Sequence, residues 1–252
     1  MCKTKCDKMR WYKTDLHVHT VLSPCSGLEM SPRSLMGKAK TEGIEIIAVT
    51  DHNSMANCLV YEKAAQEFDI AFIYGVEVQS AEEIHIVALF DDWKEGLEFN
   101  RELFDSLLPI KNDPAYHGNQ VVLDEKENIV RTIKKSLINS SIWTLETVMH
   151  KVREFNGFAF PAHVDVTPYS LLGQLGFIPP DLNITAVGIT AECDEKALLE
   201  KYPILHDLVL IRNSDAHSLQ DVGSGYTEFY LEETNLKSIV NAINNKNNVR
   251  IK

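Results

Sequence analysis

The sequence is poor in the residues that interrupt or cross-link a chain. Only 12 of its 252 residues are glycine and 9 are proline, whereas 44% are apolar. Disordered, collagen-like and low-complexity proteins have the opposite composition, so these classes are excluded. A chain of this length could form one α/β barrel or two smaller domains, and either would bury roughly 70% of the surface of the unfolded chain.

Disulfide bonds are not expected either. The five cysteines are an odd number and are scattered along the chain, which is typical of reduced thiols rather than of a disulfide framework. Cys2 and Cys6 are close enough in sequence to share a metal, but no second pair completes a tetrahedral site with them. We therefore interpret these two residues as part of a solvated tail.

Long apolar runs and an excess of positive charge are also missing. No stretch of about 18 apolar residues is present to span a membrane, and the N-terminal residues lack the apolar core of a signal peptide. We therefore expect a cytoplasmic protein without a membrane partner. Acidic residues outnumber basic residues by 36 to 25, which gives a net charge of −11. Because such a surface repels phosphate groups, we expect no binding to duplex nucleic acid.

Strand-like and helix-like patterns alternate along most of the chain. Ser31 and Pro32 predict a helix start, with an N-cap and a proline in the first turn, and Gly43 predicts the helix end. Apolar runs predict strands at 11–18, 44–49, 70–78, 84–90, 157–163, 185–192, 208–213 and 226–231. Such alternation indicates a parallel sheet, and the number of units indicates a closed or nearly closed barrel, with a doubly wound open sheet as the alternative.

One segment, from Pro109 to about Ser141, breaks this alternation. Short apolar runs at 121–123 and 129–130 flank a polar turn, which predicts an inserted hairpin with a short helix. The chain has no internal repeat and no long Gly/Ser linker. We therefore expect a single domain over residues 1–252, with an insertion at about 109–141.

Two histidines, His17 and His19, stand at the end of the first apolar run, with Asp15 in the same register. In a strand, side chains two residues apart point to the same face, as the ligands of a shared metal must. A lone strand histidine is more often a packed core or rim residue. The pair, together with the acid, makes metal ligation an equally good interpretation.

Further histidines and acids recur at the ends of the other predicted strands. An acid or imidazole is costly to bury without a partner, and metal coordination would offset that cost at every position. The candidate ligands are His17, His19, His52, Glu77, His85, His163, Asp215 and His217. Because these eight exceed the four ligands that one zinc ion usually takes, we predict two or three divalent ions. The other histidines, His117, His150 and His206, fall in predicted loops or helices and are interpreted as ordinary polar residues, although His117 could reach a substrate.

Imidazoles and carboxylates around several ions are typical of a hydrolytic centre that activates a water molecule. Phosphoester cleavage suits such a site best, but amide and amine hydrolysis use similar ligands, so the ligand count alone leaves the scissile bond open. Zn, Mn and Fe all accept mixed histidine and carboxylate ligands.

Six short motifs follow one another in a fixed order, namely HVH, TDHNS, GVE, an isolated strand histidine, PAH and SDAH, between His17 and His217. Each is weak alone, but the ordered set resembles the PHP (polymerase and histidinol phosphatase) family. This resemblance implies a distorted (β/α)7 TIM-like barrel, with a trinuclear metal centre at the C-terminal ends of the strands and phosphoesterase activity.

The resemblance also implies roles for individual residues. It assigns the first ion to His17, His19, Glu77 and Asp215, the second to Glu77, His85 and His163, and the third to His52 and His217. Asp51 would orient an imidazole rather than bind metal itself. Four cations, Arg33, Lys111, Arg131 and Arg212, are candidates to bind the substrate phosphate, although surface cations are usually only solvated. Arg212, just before the SDAH motif, is the first of these.

The turn after HVHT departs from the family pattern, because it holds Cys25 where family members commonly offer a histidine or an aspartate. A Cys25 thiolate could replace that ligand, or the residue could be a packed bystander that leaves one metal site weak. The affinity of soft thiolates for zinc favours the ligand interpretation.

We therefore predict a hydrolase acting on phosphoester bonds, a phosphatase or phosphodiesterase of the PHP type. Its partner would be a small phosphorylated metabolite, for example histidinol phosphate, or a nucleotide. Two alternatives are a non-catalytic PHP-like regulatory module that binds metal, and a deaminase or peptidase of the amidohydrolase type. The filled ligand positions argue against the first alternative, and the TDH and SDAH motifs argue against the second. The sequence does not indicate the oligomeric state.

Overall fold

A curved sheet of seven strands is the framework of the computed structural model, which describes residues 9–252. The interpretation of Cys2 and Cys6 as a tail therefore lies outside the described residues. In chain order, the strands of the described residues are β1 (Arg10–Asp15), β2 (Ile46–Val49), β3 (Ala71–Gln79), β4 (His85–Phe90), β5 (Val121–Leu123), β6 (Ile129–Thr132), β7 (Phe158–Pro161), β8 (Ala186–Ile189), β9 (Val209–Arg212), β10 (Thr227–Leu231) and β11 (Val249–Ile251). The seven strands of the main sheet lie in the order β11-β10-β1-β2-β3-β4-β7.

Helices cover the outside of this sheet. They are α1 (Pro32–Thr41), α2 (Cys58–Glu67), α3 (Trp93–Ser106), α4 (Pro114–His117), α5 (Leu145–Glu154), α6 (Leu171–Leu175), α7 (Glu195–Lys201) and α8 (Leu236–Asn244). The predicted start of α1 at Pro32 is confirmed, and Gly43, with φ +75°, follows its end. In α8 the apolar residues Leu236, Ile239 and Ile243 are buried at helical spacing, so one face of the helix packs on the sheet. Within residues 9–252, no helix combines the length and the apolar character that crossing a membrane requires.

The strands curl into a distorted TIM-like barrel, as predicted. β1, β2 and β3 are parallel neighbours, and β4 and β7 continue the sheet beyond β3. β8 pairs in parallel with β9 and contacts β7. Beyond β9 the chain meets β1 again, where Val18 and Ala216 form a parallel bridge and the amide of His19 donates to the carbonyl of Ala216 at 3.0 Å. The end of β1 is thus held between β2 and the segment that follows β9.

The prediction of a uniformly parallel sheet is wrong at two places. β4 runs antiparallel to both β3 and β7, because only five residues, 80–84, link β3 to β4, and a parallel crossover needs a dozen or more. β10 runs antiparallel to β1 and pairs with β11 on its other side. The sequence periodicity identifies these strands but does not give their direction.

The segment at 109–141 forms α4 and the two-stranded antiparallel sheet of β5 and β6, outside the main sheet. β5 is buried, and the amide of Val121 donates to the carbonyl of Val21 in the turn after β1. Gly118, at the end of α4, lies against Pro24 in the same turn, with φ +96° and ψ 178°. The segment therefore packs on the loop that carries Cys25. That residues 1–252 form one domain stays a prediction.

We expect Gly118→Ala to destabilise the protein more than Gly43→Ala. A Cβ at position 118 would lie 2.1 Å from the carbonyl oxygen of Pro24, whereas a Cβ at position 43 would meet nothing within 4 Å. Both glycines have positive φ, so the Gly43 variant measures backbone strain alone, which is on the order of 1 kcal/mol. Urea unfolding of both variants gives the comparison, and equal losses of unfolding free energy would contradict the contact between Gly118 and Pro24.

Candidate metal centre

The candidate ligands all reach the same end of the barrel. His17 and His19 follow β1, His52 follows β2, Glu77 lies near the end of β3, His163 follows β7, and Asp215 and His217 follow β9. His85 is the first residue of β4, which runs in the opposite direction, and it is paired with Gln79 at the end of β3. The reversed strand therefore brings the start of β4 to the edge where the other strands end.

Glu77 is the centre of this cluster, and its side chain is only 1% exposed. Its Oε1 lies 3.1 Å from Nε2 of His17, 3.0 Å from Nδ1 of His85 and 3.4 Å from Nε2 of His163. Its Oε2 lies 2.9 Å from Nδ1 of His52 and 3.5 Å from Nε2 of His19. One carboxylate is thus surrounded by five imidazoles, a position suited to a bridging ligand.

Asp215 contacts two of these histidines. Its Oδ1 lies 3.2 Å from Nε2 of both His17 and His19. The carbonyl of Asp215 lies 2.7 Å from Nδ1 of His217, whose ring stacks on that of His19 with 4.1 Å between centroids. The backbone of Asp215 is left-handed, with φ +50°, as is that of His163, with φ +31°. Such strained positions are typical of functional sites.

Three overlapping groups have ligand atoms that all lie within 4.8 Å of one another. They are His17 with His19 and Glu77, His52 with Glu77 and His85, and His19 with His52 and His217. His52 therefore lies close to Glu77 as well as to His217. How the ligands divide among the ions stays a prediction.

The donors fit divalent metal ions. Both carboxylate oxygens of Glu77, Oδ1 of Asp215 and Nδ1 of His52 are buried, and among the described residues none of them makes a hydrogen bond of good geometry. Buried polar atoms without a partner are rare and costly. Because imidazole nitrogens and carboxylate oxygens are the ligands that Zn, Mn and Fe accept, bound ions would give all these atoms a partner.

The charges of the site are strongly coupled. Burial disfavours the charged form of His17, but the carboxylates of Asp215 and Glu77 outweigh it and raise the pKa of this imidazole to about 9. Burial, together with His217 and His52, lowers the pKa of His19. The pKa of Glu77 lies well below its usual range, since the surrounding imidazoles, led by His85, outweigh burial. Glu77 is therefore an anion, ready to bind a cation.

Asp51 orients His19 through Ser23 rather than directly. The Ser23 hydroxyl donates to Oδ1 of Asp51 at 2.7 Å and lies 2.9 Å from Nδ1 of His19. Since its single proton is given to Asp51, this hydroxyl accepts from Nδ1 of His19, which leaves Nε2 of that ring free to bind metal. The amide and hydroxyl of Thr20 also donate to Asp51, at 2.7 and 2.6 Å. Ser23 was not identified from the sequence, because a serine in a turn carries no sign of this role.

Cys25 lies at the mouth of the site, beside His52 and His217. Burial opposes ionisation of its thiol, but the two imidazoles outweigh burial and lower its pKa to about 6. The position is compatible with a ligand. Whether Cys25 binds metal stays a prediction.

Arg212 does not line the cavity over the candidate ligands, and its expected role in phosphate binding stays a prediction. Its guanidinium donates to the carbonyls of Thr190, Ala191 and Cys193 and to Oε1 of Glu195. These bonds hold the loop after β8, because a buried guanidinium must find acceptors for its donors. Sequence position beside a motif did not reveal these contacts of the side chain.

A cavity of about 480 Å³ opens over the ligands, and part of its wall was not predicted. Ile138, Val166, Pro168 and Tyr169 form the apolar part of its wall. The ring of Tyr169 stacks on that of His85, with 4.8 Å between centroids and an angle of 12°, and the residue is 45% exposed. The cavity therefore offers an aromatic surface next to a ligand.

Residues 15–160, more than half of the chain, match the PHP domain family, and residues 206–248 match the PHP-associated family. The chain belongs to the PHP domain family. An uncharacterised protein of Methanocaldococcus jannaschii is 35% identical over 97 residues, which cover 34% of this chain and 55% of that protein. A 5'-3' exoribonuclease of Haemophilus influenzae is 39% identical over 80 residues, 31% of this chain and 28% of that enzyme. The matched part of this PHP chain thus spans about half or less of the length of these relatives.

Among solved structures, the lesion-specific endonuclease Q of Pyrococcus furiosus has a similar fold, with a TM-score of 0.74 and 18% identity over 96% of this chain and 58% of that one. Endonuclease Q in complex with a 27-mer duplex, with an abasic lesion at the active site, gives a TM-score of 0.72 and 17% identity, over 96% of this chain and 58% of the other. The expectation of a small phosphorylated partner and no duplex nucleic acid is therefore wrong. Net charge sums the whole surface, whereas a phosphate meets the local field of a metal site.

We expect Ser23→Ala to weaken metal binding by about 10- to 100-fold, the usual effect of losing a partner that orients a ligand. The variant removes the acceptor that holds Nδ1 of His19 but leaves every candidate ligand in place. Isothermal titration of chelator-treated protein with Zn²⁺ or Mn²⁺ measures the affinity. Ser34→Ala is the control, because that hydroxyl is on the exposed surface of α1. Equal affinities in the two variants would contradict the role of Ser23.

Proposed function

We propose that the chain is a metal-dependent hydrolase of phosphoester bonds, and that its substrate is a phosphodiester of a nucleic-acid strand. The observation that carries this proposal is the convergence of five imidazoles on the buried carboxylate of Glu77, with Asp215 facing two of them. No single ion needs so many ligands, so we infer two or three divalent ions, drawn from Zn, Mn and Fe.

The ligands would be the eight histidines and acids at the strand ends, with Cys25 as a ninth. When bound, the ions would neutralise the phosphate and lower the pKa of a water molecule. The chain's own residues supply the positioning. Asp51 and Ser23 hold the ring of His19 in one orientation, and the backbone around Glu77 is fixed by hydrogen bonds to Asp51 and Asn53, at 3.1 and 2.8 Å. A site held this rigidly needs little rearrangement when the substrate binds.

A nucleic-acid substrate is favoured by the wall of the cavity. The exposed ring of Tyr169 offers a face on which a base could stack, which is worth roughly 1–3 kcal/mol per base in proteins that bind single strands. The names of the relatives agree with this choice, since both an exoribonuclease and an endonuclease cut phosphodiesters. A small monoester such as histidinol phosphate would leave this apolar surface unused.

We expect the purified protein to hydrolyse bis(p-nitrophenyl) phosphate and labelled DNA or RNA oligonucleotides, and to lose this activity when its metal is removed by a chelator. His17→Ala, Glu77→Gln and Asp215→Asn should each lower turnover at least about 100-fold, because each removes a ligand. His150→Ala and His206→Ala are the matched controls, since both residues lie on the outer helical segments. Elemental analysis would report the metal content of each variant.

Three outcomes would overturn parts of this proposal. Hydrolysis of an anilide or an amine in place of the phosphodiesters would favour the amidohydrolase alternative. Full metal content without any hydrolysis would favour the regulatory module. Less than one ion per chain in protein grown with ample metal would contradict the metal centre itself.

We expect Cys25→Ser to lower metal content or affinity, and Cys25→His to restore it in part, if the thiolate is a ligand. A neutral hydroxyl is a poorer ligand than a thiolate, whereas an imidazole can replace it. Cys193→Ser is the control, because that thiol lies outside the histidine cluster. Unchanged metal stoichiometry in the serine variant would remove Cys25 from the site.

A further inference from the structure

A second cavity, of about 350 Å³, is lined by two arginines. Arg101 comes from α3 and Arg131 from β6, and the ring of Phe104 and the amide of Asn100 complete its wall. We call it the arginine cavity. One acid, Asp105, also lines it, so the two guanidiniums leave its charge positive.

The two arginines are free to bind an anion. Among residues 9–252, neither makes a salt bridge or a side-chain hydrogen bond, although the chain carries 36 acidic residues that could have paired with them. The contrast with two other arginines is clear. Arg33 is held by Glu67 and Glu127, and Arg212 is held by carbonyls and Glu195.

The segment that holds Arg131 is basic in a chain that is acidic overall. Residues 128–145 contain Arg131, Lys134 and Lys135 and no acidic residue. Lys111 joins them, because its backbone forms a bridge with that of Lys135, and Lys111 and Lys134 are both exposed. Such a local group of cations attracts a phosphate backbone even when the net charge is negative.

Short segments of the chain connect the arginine cavity to the metal centre. Ser54 and Ala56, which line the arginine cavity, come two and four positions after His52. On the other side, Ile133 lines the arginine cavity and Ile138 lines the cavity over the metal ligands. These two residues are five positions apart in the sequence, so they are at most roughly 18 Å apart.

This connection is also rigid. The side-chain amide of Asn53 donates to the carbonyls of Leu137 and Asn139, at 2.8 and 3.0 Å. The side-chain amide of Gln120 donates to the carbonyls of Ile133 and Lys135, and its oxygen accepts from the amide of Leu137. These hydrogen bonds hold the segment between the two cavities against Asn53 and Gln120.

From these contacts we propose that the arginine cavity binds a phosphate of the same nucleic-acid strand, a few nucleotides away from the phosphate at the metal centre. This assignment rests on the proposed function, because it takes the substrate to be a strand. Arg101 and Arg131 would hold phosphate oxygens, since a guanidinium binds phosphate through paired donors. The ring of Phe104 offers an adjacent surface for a base. The shared chemistry does not distinguish DNA from RNA, so both belong in the test.

The test measures binding separately from catalysis. Fluorescence anisotropy of the chelator-treated protein would give its affinity for labelled 12-nucleotide DNA and RNA strands at several salt concentrations. We expect Arg101→Ala and Arg131→Ala each to weaken binding about 5- to 10-fold and to reduce the slope of affinity against salt by about one phosphate contact. Arg153→Ala is the control, because this arginine is exposed on α5, away from both cavities, and should leave affinity and slope unchanged. Arg131→Lys, which keeps the charge, should restore part of the affinity.

Hydrolysis of bis(p-nitrophenyl) phosphate distinguishes failure of this assignment from failure of the proposed function. This substrate is too short to reach the arginine cavity, so its turnover by the metal-loaded arginine variants should equal that of the parent protein. Oligonucleotide binding that is unchanged in Arg101→Ala and Arg131→Ala, or equally weakened in Arg153→Ala, would overturn the assignment while leaving the metal centre intact. Absence of any oligonucleotide binding would overturn it as well. If the parent protein binds oligonucleotides through the two arginines but hydrolyses no phosphodiester, the result would count against the proposed function only.

Discussion

The buried carboxylate of Glu77 is the constraint on which the rest of the structure depends. An anion that is 1% exposed must be compensated, and five imidazoles from four other parts of the chain supply partners within 3.5 Å. Each of those imidazoles is in turn held by a strand end. The barrel fold therefore brings separate strand ends to one carboxylate.

The irregular features of the barrel also help to place histidines around Glu77. A parallel β4 would begin at the opposite end of the barrel, and its first residue, His85, would be far from Glu77. The short link after β3 makes β4 antiparallel and places His85 opposite Gln79, at the edge where the other ligands meet. The left-handed backbone at His163 and Asp215 likewise turns the chain sharply where a ligand must point inward.

The cluster of candidate ligands could be predicted from the sequence because its pattern follows directly from strand geometry. His17 and His19 share a face by the two-residue repeat, and strand ends meet at one edge, so an acid or histidine at each end predicts a cluster. Strand direction could not be obtained in this way, and β4 and β10 were assigned wrongly. The roles of Ser23 and Tyr169 depend on contacts between loops that are distant in sequence. Arg212 is another such case, because its position next to a motif did not reveal that its side chain bonds to the loop after β8.

The closure of the barrel between Val18 and Ala216 has a consequence for the order of assembly. His17 and Asp215 are 198 residues apart in sequence, yet their side chains lie 3.2 Å apart. Contacts of such long sequence separation form late, after most of the chain has collapsed. During synthesis the N-terminal histidines leave the ribosome long before the segment that follows β9. The complete set of candidate ligands therefore exists only after the segment that follows β9 has been made, and an ion that needs all of them would bind after that step.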